Sequence, residues 1–371
     1  MSETTTAITP TPKKSQRILE LDALRALAAI NLMLFHFTHV YSVKYGYLTE
    51  LGFEFPYGKY GVQLFFMLSG LVNAMTLLKK REPTEFLASR FIRIFPSFLL
   101  VIGLNVLLLF FTPLRETVTV SISQILANLT VMPNLLGYEC LEPVTWTLQI
   151  EVLFYAILLS FFVSGALEKP FVPLMWYLAL CVIGTWYLEN SAAAYGITHL
   201  ATSQWFHNTM LLTYFPLFAI GIFLQQIRFT DTSRFWNILG IAISAICFHV
   251  VDRHDHNPAA TILLIGLLTA SVYGKLPVLR WKPFAYISAV SYSLYLLHNN
   301  LGSVFIYHLN HWGVSSMGCF ILVMVFTLIV STIATFWIEQ PVSRWLRQHW
   351  KAFRARQVIR SAPQAAPSES N

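Results

Sequence analysis

The sequence predicts an all-α protein, a polytopic membrane helix bundle of about ten transmembrane helices with both termini cytoplasmic. Three observations carry that reading. Of 371 residues, 56% are apolar and only 12% are charged, against roughly 25% charged in soluble proteins, so the chain is too poor in charge to cover a water-exposed surface. The 29 Phe, 16 Tyr and 10 Trp need lipid or a very large core around them. The apolar runs are long and do not alternate, which fits helices and not the two-residue rhythm of an outer-membrane barrel. A soluble enzyme, a disordered scaffold and a secreted disulfide domain are excluded on the same grounds.

Residues 1–16 are polar and rich in Thr, Pro and Lys, and read as a disordered cytoplasmic tail with no cleavable apolar stretch. Residues 17–347 form the transmembrane domain, with spans centred near Ala29, Leu68, Gly103, Phe154, Leu180, Phe218, Ile243, Leu264, Leu296 and Leu328, each drawn from about 20 mostly apolar residues. Residues 348–371 read as a basic, largely disordered cytoplasmic tail. With the N-terminus inside, twenty of the 25 basic residues fall in cytoplasmic segments, as the positive-inside rule requires. That distribution also explains the net charge of +7 better than nucleic acid does, because no basic stripe with interleaved aromatics exists. The four cysteines, Cys140, Cys181, Cys247 and Cys319, lie far apart, at no zinc or disulfide spacing. No metal site is expected; the outer-loop run DRHDHN, Asp252 to Asn257, has no established ligand spacing and reads as a solvated loop.

Function must come from the polar residues left inside the spans, since each costs a few kcal/mol at the bilayer centre. In LDALRALAAINLMLFHFTHVY, Arg25 and His36 are eleven residues apart; at 100° per residue they lie ~20° off one helix face and ~16 Å apart along the axis. Asp22, three residues before Arg25, can pair with it, and His39 follows His36 by three. A snorkelling arginine and a structural histidine remain the plainer alternative. In FLASRFIRIFP, Arg90 and Arg93 stand one turn apart beside Lys79, Lys80 and Arg81, in an expected cytoplasmic loop from Lys79 to Arg93 ahead of Pro96 at the start of a span. Such a cluster binds either the phosphates of a nucleotide-like donor or the anionic membrane surface, and charge alone leaves both open.

Glu151 interrupts the apolar helix of VTWTLQIEVLFYAI, with Trp146 and Tyr155 five before and four after it; a buried carboxylate should be paired or proton-active. In SAVSYSLYLLHNN, Ser291, Tyr295 and His298 share one face, while Tyr292 and Asn299 form a second seam that fits interhelical hydrogen bonding. In WIEQP, Glu339 at the end of the last span serves either as a partner for Arg344 or as a site residue. The phosphate-loop, dinucleotide, zinc-protease and nucleophile-elbow motifs are absent from the sequence.

Taken in order, LDALRALAAINLMLFHF, GVQLFFMLSGLV, FLASRFIRIFP, WTLQIEVLFY, TYFPLFAIGIF, SYSLYLLH and FWIEQP resemble the integral-membrane acyltransferase family 3, membrane O-acyltransferases of bacterial type that modify surface polysaccharides and related acceptors. The resemblance spans nearly the whole chain. It implies that Arg25 and His36 are an essential pair and that Arg90 and Arg93 are a cytoplasmic basic motif binding the acyl donor. Glu151 and Glu339 are further candidates, and His298, Tyr295 and Trp146 complete the set. It implies no bound cofactor, with acyl-CoA, most simply acetyl-CoA, as co-substrate and a carbohydrate or glycolipid as acceptor. The expected location is the bacterial inner membrane. Two departures stand out: no soluble esterase-like domain follows the last span, and the outer loops are short, so the acceptor is expected to dock close to the membrane.

The expected mechanism places the donor inside and the acceptor outside. His36 acts as general base on an acceptor hydroxyl or carries the acyl group itself, and Glu151 or another buried carboxylate orients the imidazole. Arg25 lies too far along the helix to touch the same atom and holds the donor. The rival class is a proton-coupled secondary transporter using the same buried His, Glu and Arg residues; a non-catalytic membrane-assembly component is a third.

Overall fold

The computed structural model describes residues 18–111, 120–195, 211–252 and 257–361. The proposed tail over 1–16 and most of the DRHDHN run lie outside them. The described residues are mostly helical, joined by short turns and loops, without strands. Among the described residues, seven helical stretches are long and apolar enough to cross a membrane, and the chain is an integral membrane protein. They cover 19–44, 56–80, 83–109, 143–163, 171–190, 234–251 and 316–357. Three other expected centres fall elsewhere. Phe218 and Leu264 lie on shorter apolar helices, Phe215–Phe229 and Pro258–Val272, and Leu296 lies beside a helix break at His298.

The first span is α1, Leu19–Phe35, followed by one π-helical turn, His36–Val40, and the short α2, Tyr41–Lys44. A π turn inserts an extra residue into the helix and is often found at functional sites. Its backbone is held from outside: Tyr47 Oη donates to the Phe37 carbonyl at 2.8 Å, and the Phe55 amide donates to Thr38 Oγ1 at 2.9 Å. Next come α3, Tyr60–Lys80, and α4, Pro83–Phe111. The turn between them closes on Arg81 at φ 54°, a left-handed cap that satisfies the end of α3 through the Arg81 amide and the Leu77 carbonyl.

Pro96 lies inside α4 and not at its start. A proline removes one helical hydrogen bond, and a membrane helix can continue through that loss. Arg90 and Arg93 therefore stand on a helix that began two turns earlier, not in a cytoplasmic loop reaching from Lys79 to Arg93.

The chain continues through α5, Ile122–Leu129, α6, Trp146–Val163, α7, Phe171–Tyr195, α8, Phe215–Phe229, α9, Arg234–Val251, and α10, Pro258–Val272. Then follow α11, Lys282–Leu297, α12, Asn299–His311, and α13, Ser316–Ile333. Starts are marked by proline in the first turn of α8, α10 and α11, where its missing N–H costs nothing. The side chains of Ser121, Asn257 and Ser315 cap α5, α10 and α13.

The core forms where α3 crosses α8. At Gly70 the Phe218 carbonyl occupies the place a β-carbon would take, and at Gly221 the Met67 carbonyl does the same. Two glycines facing each other let the backbones touch, the close approach that small residues give membrane helices. Phe154 of α6 stacks on Phe218 with centroids 3.9 Å apart, joining a third helix to the crossing. α1 lies against α3 and α11, and Glu20 at its start accepts from Arg280 Nε at 2.6 Å.

After α13 a second π turn, Ala334–Glu339, leads into α14, Gln340–Ser361. Here the structure corrects the expected tail, since residues 348–361 are helical; residues 362–371 lie outside the described set. The reason is partnership: Trp350 Nε1 donates to Glu85 at 2.9 Å, and Arg354 donates to Thr84 and Glu82. These bonds tie the helix to the start of α4.

Candidate active site

Five helices meet around a polar cavity. α1 brings Arg25, α3 brings Ser69 and Asn73, α4 brings Arg90 and Arg93, α6 brings Thr147 and Glu151, and α11 brings Ser291, Tyr292 and Tyr295. Residues scattered over 270 positions of sequence converge because each sits on the inward stripe of its helix. Arg25 is anchored by Asp22, with 3.0 Å between Nη1 and Oδ1, the pairing expected from their three-residue spacing. Glu151 accepts from Ser69 Oγ at 3.1 Å and from Tyr155 Oη at 2.5 Å. The Arg90 guanidinium lies over the rings of Phe86 and Tyr155, 5.2 and 5.9 Å from their centroids. Asn73 Oδ1 and Arg90 Nε are buried with no hydrogen-bond partner among the described residues, so the cavity wall carries both an acceptor and a charged donor to be satisfied by whatever fills it.

The cavity has a volume of about 90 Å³, room for on the order of half a dozen waters. Beside it lies a much wider vestibule of about 1170 Å³, lined by Lys79, Lys80, Arg81 and Arg228 at the ends of α3 and α8 and by the start of α1. Arg25 borders both spaces. A bulky polyanion fits only the vestibule, and a slender group extending from it would meet Arg25 on the way to the inner cavity.

His36 opens the first π turn and does not line the inner cavity. Its Nδ1 lies 2.8 Å from the Leu32 carbonyl and 2.9 Å from Nε2 of His298. No carboxylate orients it: among the described residues Glu151 bonds to Ser69 and Tyr155, and the partner of His36 is a second histidine. Tyr295 joins the two regions, since it lines the cavity, stands 6.0 Å from the His298 ring centroid and 5.8 Å from that of Phe65, and donates to the Val144 carbonyl at 2.8 Å. The shared face of Ser291, Tyr295 and His298 therefore turns inward. In the second seam, Tyr292 donates to the Ile94 carbonyl and Asn299 donates to Glu142.

Like His36 and His298, two further candidates do not line the cavity. Glu339 accepts from Ser293 Oγ at 2.7 Å, while Arg344 bonds to the Gln340 carbonyl. Trp146 packs against the rings of Tyr214 and Phe66, at centroid distances of 5.2 and 6.3 Å.

The structure adds Glu142, which the sequence reading passed over. It is 1% exposed and accepts from Asn299 at 3.0 Å and Asn105 at 3.2 Å. It lies just ahead of the span that begins at Pro143. Burial pushes its carboxyl up to about 7, against the pull of the Asn299 and Asn105 hydrogen bonds. The signal that could have found it is a carboxylate directly before a Pro-initiated apolar helix in LEPVTW.

The site combines buried cations facing an internal cavity with an imidazole about three turns further along α1, and comparison with known families places the bundle among the integral membrane acyltransferases. The sequence profile of an acyltransferase domain matches residues 18–336, and the chain belongs to that family. A curated relative, the exopolysaccharide production protein ExoZ of Rhizobium meliloti (strain 1021), is similar to it at 26% identity over 262 residues, covering 67% of this chain and 78% of the relative. No solved structure matches the chain.

Proposed function

We propose that the protein moves an acyl group, most simply acetyl, from acyl-CoA to a hydroxyl of a polysaccharide or its glycolipid precursor. The observation that carries this is the position of Arg25 on the border between a wide basic vestibule and a narrow inner cavity. A CoA has that shape, a bulky polyanionic head on a slender neutral arm. The head rests against Lys79, Lys80, Arg81 and Arg228, and Arg25, Arg90 and Arg93 grip the donor where the arm enters. The carbohydrate acceptor follows from the likeness to an exopolysaccharide production protein.

The vestibule opens on the end of the bundle that carries most of the basic residues, which is the cytoplasmic side by the positive-inside rule. Ten spans with both termini inside, in a bacterial inner membrane, suit this arrangement, with Phe215–Phe229, Pro258–Val272 and the α11–α12 pair completing the count. His36 lies ~16 Å further along α1 than Arg25, toward the opposite face, where the acceptor is met.

In the transfer step His36 takes the proton of the acceptor hydroxyl as its oxygen bonds to the thioester carbonyl carbon. The carbon–sulfur bond then breaks, and the departing CoA thiolate takes the proton. Arg25 and Glu151 hold the donor side of the path, the cation on the donor and the carboxylate through Ser69 and Tyr155.

The test is turnover. Purified wild-type protein should consume acetyl-CoA only when an exopolysaccharide fragment or its lipid-linked precursor is present, and His36→Ala should insert normally yet give no product. Near-normal turnover in His36→Ala would end this mechanism.

A further inference from the structure

The hydrogen-bond pattern around His298 dictates where the proton of His36 sits. His298 fills the break between α11 and α12 and is 1% exposed. Its Nδ1 faces two backbone carbonyls, Tyr295 at 2.7 Å and Leu294 at 3.1 Å. Carbonyls only accept, so Nδ1 carries the hydrogen, and a neutral imidazole with Nδ1–H presents a lone pair at Nε2. That lone pair lies 2.9 Å from Nδ1 of His36. His36 Nδ1 in turn faces the Leu32 carbonyl at 2.8 Å, a second pure acceptor.

One assignment satisfies all four contacts: His36 carries its hydrogen on Nδ1, shared between Leu32 and His298 as a three-centre bond. The reverse assignment requires a cationic His298 with no ion-pair partner among the described residues. It would also set a bare His36 nitrogen against a carbonyl oxygen at 2.8 Å. Both are costly in a buried site.

We propose that His298 is the positioning residue of the site: together with the Leu32 carbonyl it holds His36 in the Nδ1–H tautomer and fixes the ring's orientation, which leaves Nε2 as the basic nitrogen. This rests on the reading of His36 as the base. Among the described residues no hydrogen bond reaches His36 Nε2, so that nitrogen is free for an acceptor hydroxyl. When Nε2 takes a proton, the Nδ1–H of the resulting imidazolium already points at a neutral acceptor. The role often filled by a carboxylate is thus filled by an imidazole pinned to the backbone at a helix break. Glu142 supports the same break from the other side, because its carboxylate accepts from Asn299, the first residue of α12.

Two measurements test it, one independent of turnover. In ¹⁵N-histidine spectra of the full-length protein in lipid, His36 should appear as the Nδ1–H tautomer, and His298→Leu, which leaves the ring free to turn away from the Leu32 carbonyl, should admit the Nε2–H form beside it. An Nε2–H tautomer in the unmutated protein, or a His36 signal unmoved by His298→Leu, would overturn the proposal whatever the enzyme's activity. Kinetically, His298→Leu should lower kcat about 100-fold while the KM for acetyl-CoA stays within about twofold, since the donor contacts lie elsewhere. His298→Gln, which restores an acceptor, should recover part of that loss. Equal loss in both variants, or a changed donor KM with unchanged kcat, would count against tautomer selection. Activity in His36→Ala would instead remove the base reading and leave the spectroscopic result standing.

Discussion

Glu142 Oε1 accepts a hydrogen bond from Asn299 Nδ2 at 3.0 Å, so a carboxylate from the segment before α6 holds the first residue of α12 in place. The carboxyl is displaced from its ordinary 4.5 to about 7 by burial. A folded-state value above the unfolded one means that the folded protein keeps the proton longer, and the associated stability is complete below about 4.5 and lost as pH rises through about 7. The melting temperature of the wild type, taken relative to Glu142→Gln in the same detergent, should therefore fall across that interval. Parallel curves for the two proteins would show that Glu142 does not titrate there.

Arg25 is paired with Asp22 and borders both the vestibule and the inner cavity, the proposed donor path. Arg25→Ala should lower kcat/KM about 100-fold or more, and Arg25→Lys should recover little of it, since an ammonium cannot reproduce a planar fork that bonds Asp22 and a donor oxygen together. Recovery to near wild-type turnover in the lysine variant would show that charge alone suffices. Labelled acetyl-CoA consumption reads both.

Arg90 and Arg93 stand together on one wall of the inner cavity, where a CoA arm would pass. Replacing both by Gln should raise the apparent KM for acyl-CoA about tenfold or more and leave the acceptor KM within about twofold. Donor binding to the unmutated protein should weaken at high salt, because the vestibule charges are open to screening. Loss of the acceptor with donor affinity intact would reverse the two substrate sides.

The α3–α8 crossing tolerates no side chain at Gly70 or Gly221. Leu at either position should destabilise the protein by about 1–3 kcal/mol and lower the yield of folded protein, read as a lower melting temperature. Gly103 of α4 is the control: nothing lies within 4 Å of the place its β-carbon would take, and Leu there should be accepted.

The all-helical membrane class, the Arg25–Asp22 pair and the inward face shared by Ser291, Tyr295 and His298 were legible in the sequence, because they follow from composition and from spacing along one helix. Contacts between helices were not. Nothing in the spacing of α1 and α11 says that His36 and His298 meet, since that depends on a π turn at His36 and a helix break at His298, and neither has a composition of its own. The same holds for Glu142, whose depth comes from Asn105 and Asn299 closing over it from two other helices. Pro96 misled in the opposite direction. It suggests a helix start, and the structure runs α4 straight through it, which places Arg90 and Arg93 on a cavity wall.

The grip of α14 on the start of α4 gives the C-terminal end of the chain leverage over its interior. Trp350 and Arg354 lie beyond residue 336, where the family match ends, yet they hold Glu85, Thr84 and Glu82, one to two turns before Arg90. The guanidinium over Tyr155 is therefore braced by a strut attached at the far end of the sequence. A cut after Ser343 would leave every residue of the cavity in the chain and yet free the helix that aims two of its three arginines.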